Sequence, residues 1–197
     1  MKKIVLLLLS MFCMSFAWAG GKGKVKEIDV VKQGGCNLGI MIGVPPIDYY
    51  ENGEYVDPTI PTFSFDANWG LASGFIKTKT FGNNGGVDLG GYYGIDHYKG
   101  VHSHNGMLQQ SILIRAAFHF EFVRNLDVFM GIANGVNIYG STNDHPNWDF
   151  DDCKYAGGIY GGIKYYFTKH FGLKIEFASD WNDKNLTNFA GGVTFKF

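Results

Sequence analysis

The chain has no excess charge of either sign. Its 197 residues carry 17 Lys and Arg against 18 Asp and Glu, a formal net charge of −1. A nucleic-acid binder needs a basic stripe, so that class is excluded. Cysteine is scarce, at 3 residues, and no Cys-x-x-Cys pair occurs. A phosphate-cradling loop and a metalloprotease helix are also missing, so no cofactor is expected. Proline numbers only 5 beside 28 glycines, with no Gly-X-Y period, which excludes collagen. Beyond residue 19 no apolar run reaches 10 residues, so no later helix is long enough to cross a bilayer.

What the chain does have is aromatic surface to bury. Its 17 Phe and 11 Tyr exclude a disordered chain, and its length allows one domain or two small ones.

Residues 1–19 read as an export signal. Lys2 and Lys3 form a positive start, residues 4–16 an apolar stretch, and Ala17-Trp18-Ala19 a small-x-small cleavage site. The stretch is too short for a retained spanning helix, and Gly20-Gly21-Lys22-Gly23-Lys24 follows at once. Cys13 lies inside it without the small-residue context of lipoprotein cleavage. Cys36 and Cys153 remain in the mature chain. Exported cysteines invite a bridge, but the topology below sets these two at opposite ends, and no disulfide is expected.

The remaining sequence alternates with period two, the signature of strands with unlike faces. In 111–122, Ile112, Ile114, Ala116, Phe118, Phe120 and Phe122 share one face, and Arg115, His119 and Glu121 the other. Eight strands are predicted near 35–45, 62–74, 86–98, 108–122, 126–139, 156–168, 171–180 and 187–197. Short turns at Phe81-Gly82-Asn83-Asn84-Gly85, Arg124-Asn125 and Thr168-Lys169-His170 alternate with generally longer connections at 46–61, 99–107, 140–155 and 182–185. Short turns on one side and long loops on the other mark a membrane barrel. One face of these strands carries no Asp, Glu, Lys or Arg, and Asn134 is its one clear polar intruder. The other holds Asp66, Asp88, Asp96, Arg115, His119, Glu121, Asp127, Lys164, Lys174, Glu176 and Lys196, together with many glycines. A lipid-facing Lys or Arg costs roughly 2–4 kcal/mol at mid-membrane, so the charge-free face is expected outside and the charged face in the lumen.

The chain ends Val193-Thr194-Phe195-Lys196-Phe197. Together with 37–43, 158–167 and 171–177, this ending resembles the small outer-membrane protein β-barrel domain family of Gram-negative bacteria, which includes OmpA-like, OmpX-like and OmpW-like barrels. The resemblance spans the mature chain. It implies that Phe195 and Phe197 form the signal read by the barrel-insertion machinery. It also sets Lys164 where the family often has Arg, and Glu176 where it often has Glu. The motif is specific for the fold, not for a task.

Several groups are candidate sites. Arg115, Glu121, Lys164, Lys174 and Glu176, with His119 beside them, form either a paired network that fills the lumen or a narrow polar path for ions. Buried charges need partners in both cases. The long connections at 45–61 and 140–155 are acidic and rich in Tyr and Trp, which suits binding but equally a solvated cap. Asp149, Asp151 and Asp152 lack the Gly and terminal Glu of a calcium loop. His102 and His104, near His97, have zinc spacing without an evident third ligand. Ser103 beside His102 has no strand-held base, so no enzyme is expected.

The expected molecule is all-β, an eight-stranded antiparallel transmembrane β-barrel over 35–197, after a signal peptide (1–19) and a periplasmic lead-in (20–34). Its expected partners are outer-membrane lipid and, during insertion, the barrel-assembly machinery, with no nucleic acid. It is expected as a monomer in the bacterial outer membrane, in a structural or surface-interaction role. The alternatives are a small pore and a soluble periplasmic ligand-binding barrel.

Overall fold

A computed structural model describes residues 30–45, 49–51, 54–100, 106–141, 153–181 and 189–197. The expected signal peptide, most of the lead-in, His102, Ser103, His104, Asp149, Asp151 and Asp152 lie outside the described residues.

The described residues form ten strands: β1 (Cys36–Val44), β2 (Tyr49–Glu51), β3 (Glu54–Pro58), β4 (Thr62–Thr78), β5 (Gly82–Gly100), β6 (Gly106–Val123), β7 (Leu126–Ser141), β8 (Cys153–Tyr166), β9 (Phe171–Asp180) and β10 (Phe189–Lys196). All pairings are antiparallel. β1 pairs with both β4 and β10, and β5 with both β4 and β6, so eight strands close on themselves and leave no barrel edge. The last joint is made by the chain end, where Phe197 N donates to Cys36 O at 2.8 Å.

Two expectations about connections need correction. The segment 46–61 is not only loop: β2 and β3 form a hairpin there, and β3 adds to the outer end of β5 through Val56↔Gly100, Asp57↔Lys99 and Pro58↔Tyr98. The turn expected at 81–85 is mostly strand. β4 runs on to Thr78 and β5 begins at Gly82, with register shifts at Gly70/Ala72 and Ser73/Ile76. The Asn and Gly residues there serve irregular pairing rather than a loop, because bulges use the same residue types as turns. Buried Asn84 shows this. Its Nδ2 donates to the Glu121 carbonyl at 2.6 Å, and its Oδ1 accepts from Glu121 N at 3.0 Å.

The barrel is inside out. Ile114 and Met130 are 68% and 69% exposed, while Asp66, Asp88, Arg115, His119, Asp127, Lys164 and Lys174 are each at or below 2%. Gln110 is also a polar residue of the outer face, like Asn134. Each is met by a tyrosine: Tyr155 Oη donates to Asn134 Oδ1 at 2.5 Å, and Tyr93 Oη to Gln110 Oε1 at 2.8 Å. Phe122 leaves the exposed pattern and is buried, with the Phe120 and Phe81 rings 4.7 and 6.0 Å away, beside the register shift at Glu121/Val123. Cys36 and Cys153 are free and begin strands at opposite rims. A bridge needs Cα atoms within about 7 Å, so this topology excludes one.

Candidate functional site in the lumen

The lumen of an eight-stranded barrel is just wide enough for side chains to fill. Inward positions here alternate between glycine and long charged or aromatic residues, so large groups from one strand occupy the space left by small ones on another. Gly162 illustrates this: a Cβ there would meet Ile175 O at 2.0 Å and the Phe129 ring at 2.9 Å. Its absence lets Phe129 stand across the bore.

Around Phe129 lies a belt of ion pairs. Arg115 Nη2 on β6 reaches Glu176 Oε1 on β9 at 2.6 Å. Lys174 Nζ lies 2.8 Å from Glu176 Oε2 and 2.6 Å from Asp66 Oδ2 on β4. His119 sits between two acids, with Nδ1 2.8 Å from Asp127 Oδ2 and Nε2 2.9 Å from Asp88 Oδ2. Lys164 Nζ is 3.8 Å from the same Asp127 oxygen. Four carboxylates thus face Arg115, Lys164, Lys174 and the His119 ring, and the charges nearly cancel within the belt.

Aromatic faces take up what the carboxylates leave. The Arg115 guanidinium carbon is 3.5 Å from the Tyr160 ring centre and 5.0 Å from that of Tyr92. Lys164 and Lys174 lie 4.9 and 5.4 Å from the Phe129 ring centre, and the His119 ring stacks on it at 5.7 Å. Such contacts strengthen when water is excluded.

Of the six residues read as a lumen network, Arg115, His119, Lys164, Lys174 and Glu176 meet in this belt. Glu121 is also buried, and its Oε1 accepts the Asn125 backbone N–H at 2.6 Å and holds the β6–β7 turn. Lys164 and Lys174 are directly opposite on β8 and β9, and Glu176 faces Gly162. Like charges opposite each other repel, and here Asp127 and Asp66 draw them apart. Sequence reasoning placed Asp66, Asp88 and Asp127 on the inner face without assigning them to the network, and it missed Phe129. An aromatic on a charged face between Val128 and Met130 was the available signal.

Above the belt, a cavity is lined by Tyr92, Leu113, Arg115, Ala133, Tyr160, Glu176 and Ala178. It offers about 20 Å³ to the centre of a water molecule, room for about one water. Nearer the outer rim, Thr62 Oγ1 donates to Asp96 Oδ1, and Tyr98, Gln109, Asn137 and Tyr139 are buried. The arrangement is suited to filling and stiffening a bore. His97 is met by Thr59. Among the described residues no three His, Cys, Asp or Glu side chains gather as a metal site.

Phe195 is the next-to-last residue of β10, and Phe197 lies just beyond its end. The Phe195 ring is 5.5 Å from that of Phe171, and Phe197 is 69% exposed.

No protein-family model matches the chain, and no curated protein does. Among solved structures it is similar to Ail, the attachment invasion locus protein of Yersinia pestis, crystallised with the heparin analogue sucrose octasulfate. The identity is 11%, the match covers 84% of this chain and 100% of that one, and the TM-score is 0.49. The same outer membrane protein in a phospholipid bilayer nanodisc gives 11% identity, the same coverage and a TM-score of 0.46. The outer membrane protein OprG from Pseudomonas aeruginosa gives 13% identity over 86% of this chain and 99% of that one, with a TM-score of 0.44.

Proposed function

We propose that this chain is an integral outer-membrane protein whose barrel serves as a rigid, non-conducting stake. It holds the long connections outward in a structural or surface-interaction role. Its termini face the periplasm, its surroundings are outer-membrane lipid, and it works as a monomer after insertion by the barrel-assembly machinery. One observation carries this reading: the apolar residues are exposed and the charges are buried and paired. A soluble ligand-binding barrel has the opposite economy, with apolar groups inside and charges in water.

The pore alternative is disfavoured by the ion pairs. Each belt cation already faces a carboxylate. Fractionation and planar-bilayer recording test the proposal together. The expected outcome is recovery only with detergent, a heat-modifiable band, and no ohmic steps. Release into the soluble periplasm would sink the membrane assignment. Steady steps that vanish on Arg115 replacement would establish the pore instead.

A further inference from the structure

The segment leading into β1 was expected as a periplasmic lead-in. Its last described residues instead enter the barrel. Val30 and Val31 are 1% and 0% exposed and pack on Tyr166, whose Oη donates to Asn37 Oδ1 at 3.1 Å. Valines lie at this depth only if the chain reverses before β1, and the backbone shows how. Gly35 N donates to Lys32 O at 3.0 Å, closing a four-residue turn, and Gly34 in its third position has φ +79°. A turn with positive φ there calls for glycine.

The barrel wall is shaped to receive this turn. Gly34 N donates to Gly70 O at 2.8 Å, and Gly70 N donates to Gly35 O at 2.9 Å. β4 can offer both groups because the regular β1–β4 pairing ends at Cys36↔Trp69 and leaves Gly70 opposite Gly35, one position further along the same register. A Cβ on Gly70 would lie 2.0 Å from Lys32 O and 3.2 Å from Val31 Cγ1. Turn, seat and buried side chains are therefore matched.

We propose that residues 30–35 are a folded stopper that docks on Gly70 and Tyr166 and closes the periplasmic mouth of the lumen. The closure is separate from the ion-pair belt. The barrel then becomes a one-ended vessel: any small molecule reaching the Arg115 cavity does so from the outer side. This inference rests on the fold alone and stands whether or not the protein is a surface-interaction module.

The test is thiol labelling of the folded, full-length mature barrel in detergent, with Cys36 and Cys153 replaced by Ser. Val31→Cys keeps a small apolar side chain in the mouth. It should react with a polyethylene glycol maleimide at least about 100-fold more slowly than Lys79→Cys, which marks an exposed turn, because labelling requires local opening. Adding Gly70→Val should raise the Val31→Cys rate to that of Lys79→Cys while the unheated gel band stays compact. If Gly70→Val does not fold, Gly34→Val removes the turn without touching the wall and should give the same release. Rapid labelling of Val31→Cys in the parent barrel would overturn the proposal. So would protection that survives both glycine replacements in folded barrels. Neither reading depends on conductance or membrane location, so failure here is distinct from failure of the proposed function.

Discussion

Arg115 and Glu176 meet at 2.6 Å across the lumen, from strands β6 and β9 that are separated in the wall by β7 and β8. The pair braces opposite sides of the barrel, and both side chains are almost wholly buried. Removing Arg115 breaks the buried pair and leaves Glu176 with Lys174 as its remaining cation, at a cost of up to about 3–5 kcal/mol. Arg115→Met should therefore lower the urea midpoint of the folded gel band sharply. Arg115→Met with Glu176→Met should recover a large part of the loss, because an apolar replacement of a whole buried pair is often neutral. A double variant as unstable as the sum of the singles would show that the two side chains do not act as a pair.

The inside-out surface gives a second prediction. Ile114 is 68% exposed in the middle of β6. Ile114→Arg should cost about 2–4 kcal/mol in bilayer vesicles, the penalty for a cation on the lipid face. Ile60 is 40% exposed just before β4, and Ile60→Arg should stay within about 0.5 kcal/mol of the parent, as ordinary surface changes do. Equal tolerance at both positions in vesicle-refolding titrations would mean that Ile114 faces water.

The polar contacts on the outer face are similarly testable. Asn134 Oδ1 has the Tyr155 hydroxyl at 2.5 Å. A polar group without a partner in hydrocarbon is costly. Tyr155→Phe should destabilise by about 1–3 kcal/mol, the usual penalty for an orphaned group. Asn134→Leu combined with Tyr155→Phe should restore parental stability or exceed it. Chemical unfolding in a phospholipid bilayer reads both.

The alternation of residues showed which face each strand offers, because the side-chain period of two survives wherever one face meets lipid and the other a packed bore. Ile112, Ile114 and Arg115 were placed correctly on that ground alone. Which strands look at each other across the bore is a different quantity. It depends on the stagger of the closed sheet, and no local pattern encodes that. Hence Glu176 could be set inside but not matched to Arg115, and the contact of Glu121 with the Asn125 backbone was not foreseen. Gly82, Asn83, Asn84 and Gly85 misled for a related reason: turn chemistry and bulge chemistry use the same residues. Val30 and Val31 carried no periodic signal, since two apolar residues before a Gly-Gly pair do not reveal that the chain doubles back.

The last strand separates stability from assembly. The Phe197 backbone exchanges two hydrogen bonds with Cys36, N–H to Cys36 O at 2.8 Å and carbonyl to Cys36 N at 3.2 Å. Its side chain is 69% exposed and touches little that folding protects. Phe197→Ala keeps the backbone bonds and should change the unfolding midpoint of the purified barrel by no more than about 0.5 kcal/mol, the range of surface substitutions. If the ring is a recognition signal for the insertion machinery, the same change should reduce the folded band in cell envelopes several-fold while refolding into detergent stays normal. Equal losses in cells and in detergent would assign Phe197 to barrel stability. Full assembly of Phe197→Ala in cells, with Phe195 intact, would show that the terminal ring is not required for insertion.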